Sequence, residues 1–242
     1  MNGIEVENSA VAKARHRRTD GLAIENDGLQ GAELMNFLVA AFTNARNALK
    51  PGASFYIWHA DNNGLIFRMA AAEAGLTIHQ VLVWVKNAFT LGRSDYQWKH
   101  EPCLYGWKDG SRHYFIDART LTTVNDYDTI QTKTREELIE WVQDLLTRLT
   151  TVARENKPQR SELHPTMKPV SLIEKQIRNS TKEGDLVLDL FGGSGTTLIA
   201  AEEINRTCYM VEYDPHYCDV ILSRWEALTG GKAERQEVTG NE

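Results

Sequence analysis

Cysteine is scarce in this chain, with three in 242 residues. Cys103, Cys208 and Cys218 are odd in number and lack the close paired spacing of a zinc site. This argues against a disulfide-stapled fold and a structural zinc centre, and it fits a reduced, cytoplasmic protein. Long apolar runs are missing as well. None approaches the roughly 18 residues needed to cross a bilayer, and the first residues lack the apolar core of a secretion signal. There is no excess of positive charge, the formal total being −6. That total does not advertise a nucleic-acid binder, but such binding needs only a local basic surface. No internal repeat is visible. Length and ordinary composition indicate one domain, or one domain with a small insertion.

The strongest local pattern lies near the C-terminus. Residues 185–191 form a short apolar run between Gly184 and Gly192, which reads as a buried parallel strand ending near Asp189. Gly192, Gly193 and Gly195 then allow a tight turn and close approach of a ligand to the backbone. Ser194 or Thr196 is expected to cap a helix over 197–204. The next strand, 206–213, carries Glu212. An acid about twenty residues past such a turn can accept both hydroxyls of a ribose. Charged hydrogen bonds of this kind are worth roughly 1.5–3 kcal/mol each.

Three ligand classes compete for the turn. A dinucleotide fingerprint wants a third glycine where this chain has Leu198, and a phosphate loop wants Gly-Lys-Ser/Thr, which is absent. Asp189, just before the turn, suits a ligand carrying an ammonium group. An NAD-dependent oxidoreductase remains the alternative.

Upstream, apolar periodicity predicts a helix over 32–49, with Leu34, Phe37, Leu38, Ala41, Phe42 and Ala45 on one face. A strand over 55–59, a helix over 64–74 and strands over 78–86 and 102–107 follow, the last two as an antiparallel hairpin. The stretch 108–163 is more polar. It contains a helix over 135–149, with Thr134 and Glu137 as a capping box, and a short strand over 150–154. Pro165 and Pro169 stiffen the entry to a helix over 170–179. Before it, His164, Thr166 and Lys168 either aim donors at one spot or simply open a proline-rich helix. Trp58, Trp84, Trp98 and Trp107 are either core residues or platforms for a base. His59 and Asp61 either face a ligand or begin the next helix.

Phe191-Gly192-Gly193-Ser194-Gly195-Thr196-Thr197, preceded by His164-Pro165-Thr166-Met167-Lys168-Pro169, resembles the S-adenosylmethionine site of amino-group DNA methyltransferases. These enzymes modify adenine N6 or cytosine N4, and the order here resembles the permuted arrangement in which target recognition precedes the cofactor turn. Asn26-Asp27, Leu49-Lys50-Pro51-Gly52, Trp58-His59-Ala60-Asp61 and Trp84-Val85-Lys86-Asn87 are similar to the same family. Gln97-Trp98-Lys99-His100-Glu101-Pro102 and Tyr105-Gly106-Trp107-Lys108 are similar to a phage and prophage subgroup.

The resemblance implies a three-layer α/β, Rossmann-like methyltransferase fold over 20–242, with 1–19 an unmatched tail and 108–163 a target-recognition insertion. It implies S-adenosylmethionine held by His164, Pro165, Thr166, Lys168, Asp189, Phe191, Gly192, Gly193, Ser194, Gly195, Thr196 and Glu212. Double-stranded DNA would be the partner, with adenine N6 ahead of cytosine N4 as the target, no metal, and a place beside restriction systems. Asn87 and Phe89 would meet the target base, and Arg154 and Lys157 the DNA. The solvated helix-and-loop reading of 108–163 stands beside this one.

One family feature is missing. The catalytic Asp-Pro-Pro-Tyr, or its Asn or Ser variant, occurs nowhere in the sequence. In the family its acid or amide and a proline carbonyl hold the target amino group, while its aromatic ring stacks on the flipped base. Asp214-Pro215-His216-Tyr217 follows the ribose acid and is expected to start a helix, and Ala14-Arg15-His16-Arg17-Arg18-Thr19 is too polar for a buried strand. No catalytic residue is therefore assigned. The expected consequence is a sheet without its central strand, in a truncated or rearranged enzyme or a non-catalytic binding remnant.

Overall fold

The structure, a computed structural model, describes residues 28–90, 95–116, 134–136, 139, 152–154 and 167–236. Helix α1, Gly31–Ala48, buries Leu38 and Phe42. Its last turn is capped from a distance. Lys108 Nζ donates to the carbonyls of Arg46 at 2.8 Å and Leu49 at 2.7 Å, satisfying groups that a helix end otherwise leaves open. Strand β1, Ser54–Trp58, and helix α2, Gly64–Glu73, follow as expected.

Strands β2, Ile78–Thr90, and β3, Trp98–Trp107, form the anticipated antiparallel hairpin. Both are longer than the apolar runs implied. The extra ladder pairs Thr90 with Trp98 after an irregularity past Val85. Strand β4, Val152–Arg154, lies parallel to β2, and the four-stranded sheet has the order β1-β3-β2-β4. Most of the expected helix at 135–149, Glu137 of the capping box included, lies outside the described residues.

Helix α3, Val170–Ser180, leads to β5, Leu186–Asp189. Helix α4, Thr196–Glu203, then leads to β6, Thr207–Met210, and α5 is Pro215–Thr229. Strands β5 and β6 pair in parallel, Leu186 with Thr207 through Asp189 with Met210. They form a separate two-stranded sheet. Among the described residues no ladder joins β1 to β5.

The layers follow from side-chain alternation on β1. Phe55 and Ile57 pack with Leu38, Phe42, Ala70, Ala71 and Ala74 of α1 and α2. Tyr56 and Trp58 face the opposite way, onto α3. There the Tyr56 hydroxyl meets Ser180 Oγ at 2.7 Å, and Trp58 Nε1 donates to Gln176 Oε1 at 3.3 Å. The same helix packs Ile173 and Ile177 against Ala200, Ala201 and Ile204, with Trp58, Val187 and Cys208 around them. The other face of β5 and β6 is open, with Leu186 51% and Tyr209 61% exposed. Parallel strands are usually covered on both faces.

Gly106 marks the tightest approach in the four-stranded sheet. A Cβ there would lie 2.2 Å from the Thr77 carbonyl oxygen and 2.5 Å from the Phe55 ring. Neither neighbour can yield without moving a strand or the core. Gly106→Ala should therefore cost about 1–3 kcal/mol, as overpacking does. Urea unfolding should show a lower midpoint at an unchanged slope; an unchanged midpoint would contradict this packing.

Candidate functional site

The site is built where β5 and β6 end. The chain leaves β5 at Asp189, whose Oδ1 accepts the Phe191 N–H at 3.0 Å. The turn then closes on itself, with the Gly195 N–H donating to the Gly192 carbonyl at 2.8 Å and the Gly192 N–H to the Val211 carbonyl at 2.9 Å. Gly193 and Gly195 take φ of 52° and 78°, a left-handed backbone that glycine adopts without a steric penalty. At Gly192 the requirement is space, since a Cβ would sit 2.6 Å from Met210 Sδ.

The residue at the N-cap of α4 differs from expectation. It is Gly195, and no side chain caps the helix. Ser194 and Thr196 are both buried and bond each other, Oγ to Oγ1 at 3.3 Å. A left-handed cap residue carries the chain past the point where a Ser or Thr side chain would turn back. The first amides of α4 thus lack a capping side chain, an arrangement that favours negative or polar ligand groups.

Glu212 lies two residues beyond β6 and reaches back to the turn. Its Oε2 accepts the Gly193 N–H at 2.6 Å, and its Oε1 accepts the N–H groups of Tyr213 and Asp214, each at 2.9 Å. A carboxylate offers about four acceptor positions, so Glu212 keeps capacity for a further donor. Asp189 is different. Burial pushes its carboxyl above the ordinary value, an effect only partly offset by the Thr197 hydroxyl, the Phe191 N–H and the Lys168 cation, and reinforced by Glu212. A desolvated carboxylate without full compensation is suited to a cationic ligand.

Lys168 lies beside the end of β1 and acts on Asp189 at the end of β5. Its Nζ is 5.6 Å from the centre of the Trp58 ring and 3.8 Å from Glu101 Oε2. Glu101 Oε1 also meets buried Lys86 at 2.6 Å, and Lys86 Nζ lies 5.4 Å from the Trp84 ring centre. One carboxylate therefore bridges two lysines beside the ends of β1 and β5. This bridge was not foreseen; the only sequence hint was Trp84-Val85-Lys86 opposite Glu101 in a hairpin. Phe37 is a second unforeseen neighbour, its ring 5.9 Å from that of Phe191, which brings α1 to the turn.

The remaining expected site residues divide as follows. His164, Pro165, Thr166 and Lys157 lie outside the described residues. Asn87 belongs to β2 and Arg154 to β4, while Phe89 is exposed. Trp84 is core and Trp58 packs on α3, whereas Trp107 is stacked between His79 at 3.4 Å and His113 at 3.7 Å. Trp98 remains partly exposed. His59 is buried, stacked on Phe67, with Nδ1 against the Ala60 carbonyl at 3.0 Å; Asp61 opens a short 3₁₀ turn.

The thiols are poor nucleophiles. Burial raises all three, Cys208 to about 12. Among the described residues no helix is long and apolar enough to cross a membrane, and no group of three or more His, Cys, Asp or Glu side chains could hold a metal.

Residues 18–223 match the family model for N6/N4 methyltransferases, described as DNA methylase. The chain belongs to this DNA methylase family. It is 28% identical over 187 residues to the type II methyltransferase M2.DpnII of Streptococcus pneumoniae, a match covering 76% of this chain. The chain spans just under two-thirds of the length of that relative, 64%. The solved M1.HpyAVI–SAM complex superposes with a TM-score of 0.58 at 22% identity, over 78% of this chain and 83% of that one. The cytosine-N4-specific PvuII DNA methyltransferase gives 0.59 at 18% identity, over 84% and 76%. These structures establish the Rossmann-like methyltransferase fold.

The raised Asp189 carboxyl makes stability depend on pH in a definite direction. A folded value above the ordinary 3.8 means that the folded chain holds this proton more tightly than the unfolded chain. The contribution to stability is full below the unfolded value and is lost as pH rises through the folded value. Above the ordinary value this half-buried group therefore costs stability. Asp189→Asn should unfold in urea at an equal or higher concentration at pH 7, and should lose this part of the acid-side gain. A variant that is less stable at pH 7, with the parental pH slope, would refute the assignment.

Proposed function

We propose that the chain binds S-adenosylmethionine on the glycine turn and is the cofactor-holding part of a DNA amino-methyltransferase. The observation that carries this reading is the pair of carboxylates at the ends of adjacent parallel strands. Asp189, under-compensated in its burial, suits the ammonium of the methionine moiety. Glu212, anchored to Gly193 with acceptor capacity left, suits a ribose hydroxyl. Lys168, with His164, Pro165 and Thr166 before it, would serve the carboxylate end. Phe191, Gly192, Ser194, Gly195 and Thr196 would form the wall. Bound there, S-adenosylmethionine supplies an electrophilic methyl group. Leu198, in place of a third glycine, and the acid before the turn disfavour a nicotinamide dinucleotide.

The target class is an amino group of a base in double-stranded DNA, adenine N6 ahead of cytosine N4, on motif resemblance alone. Segment 108–163 serves as the target-recognition insertion, with Arg154 and Lys157 toward DNA and Asn87 and Phe89 toward the base. The unpaired thiols suit a reducing cytoplasm. Family membership and the M2.DpnII name support the DNA methyltransferase class.

Without Asp-Pro-Pro-Tyr, nothing in the chain is assigned to orient the target amino group. The isolated chain should therefore bind cofactor but transfer little or no methyl. Two measurements together test this. Calorimetry with S-adenosylmethionine should show binding, and labelled cofactor with mixed-sequence DNA should show no turnover above background. Clear turnover would overturn the inactivity. Absence of binding, with tryptophan quenching by NADH, would overturn the cofactor assignment.

A further inference from the structure

Helix α5 touches the glycine turn through one face. Ile221 and Arg224 stand three residues apart, so their side chains line up on that face. Ile221 is buried directly beneath the turn. A Cβ at Gly192 would lie 3.2 Å from Ile221 Cδ1, and one at Gly195 would lie 3.0 Å from Ile221 Cγ1. Arg224 adds a polar tie, its guanidinium donating to the Ser194 carbonyl.

The placement of this cation is unusual. The glycine turn feeds the N-terminus of α4, where the helix dipole disfavours positive charge. Burial also pulls the Arg224 guanidinium below its ordinary value. Two unfavourable effects thus meet at one residue, and the contact that offsets them is a bond to the backbone of the turn. Glu212 holds the same turn from the other side through Gly193. The peptide between Ser194 and Gly195 immediately precedes the uncapped amides of α4, so its orientation sets theirs.

Building on the cofactor reading above, we propose that Arg224 is a positioning residue that holds the Gly192–Gly195 turn in the shape that receives S-adenosylmethionine. It acts through the Ser194 carbonyl. Lysine retains the charge but lacks the planar fork, and methionine retains the apolar stem alone.

The test compares the parent chain with R224M and R224K by amide hydrogen exchange without ligand and by calorimetry with S-adenosylmethionine. In R224M, the amides of Gly195 and Ile199, bonded to the Gly192 and Gly195 carbonyls, should exchange about tenfold faster. The Gly230 amide, bonded to Glu226 at the far end of α5, should not change. The Kd should rise about tenfold, corresponding to roughly 1.4 kcal/mol, and R224K should fall between the two. Unaltered exchange at the turn, equal acceleration at Gly230, or an unchanged Kd would overturn the proposal. If the parent itself binds no S-adenosylmethionine, the cofactor reading falls, while exchange at the turn still decides whether Arg224 holds it.

Discussion

Helix α3 ties the two described sheets together. Strands β1 and β5 share no main-chain bonds among the described residues, yet both pack on this helix. Its polar edge takes Tyr56 and Trp58 through Ser180 and Gln176. Its apolar edge takes Val187 and Cys208 with the residues of α4. Gln176 also donates to Cys103 Sγ at 3.9 Å on β3. Side chains on this helix thus keep the two described sheets in one frame. Burial of this kind scales with apolar area at about 25 cal/mol per Å², but it constrains strand spacing less sharply than hydrogen bonds do.

The same frame explains why the site is under electrostatic tension. Lys168 reaches the Trp58 ring at the end of β1 and also acts on Asp189 at the end of β5. The carboxyl ends of the two strands therefore lie on one side of the molecule, the usual place for a ligand in an open α/β sheet. The turn between them is braced on several sides. Glu212 draws on Gly193, Ile221 fills the space beneath Gly192 and Gly195, and Arg224 holds Ser194. Such bracing preorganises a binding loop and reduces the ordering that binding otherwise requires.

Local chemistry in the chain was legible; long-range contacts were not. Asp189, the glycines and Glu212 could be placed in order because strand, turn and helix signals fall within a few residues of one another. The β2–β3 hairpin followed from alternation. Its extension to Thr90 and Trp98 did not, because cross-strand pairing prolonged segments whose own sequence is polar. The α4 cap was misjudged for a related reason. Ser194 and Thr196 have good intrinsic capping propensity, but the left-handed Gly195 and the burial of both hydroxyls decided the geometry. Phe37 and Arg224 approach the turn from helices remote in sequence, and no spacing rule reports such a contact. The open face carrying Leu186 and Tyr209 was likewise invisible, since apolar strand residues read as core whichever way they face.

Lys168 has two acidic neighbours, Glu101 and Asp189. Glu101 lies 2.6 Å from Lys86 and 3.8 Å from Lys168. The short pair is the firmer one, because Lys86 is buried and has lost more hydration. At the longer separation Lys168 also faces the Trp58 ring at 5.6 Å and acts on Asp189. An unshared ammonium close to a buried carboxylate would lower that carboxylate's pKa. Here burial remains the largest influence on Asp189, and Lys168 ranks behind the hydrogen bonds from Thr197 and Phe191. Burial that these partners offset only in part leaves Asp189 short of positive charge, which is the condition under which a cationic ligand gains most from binding beside it.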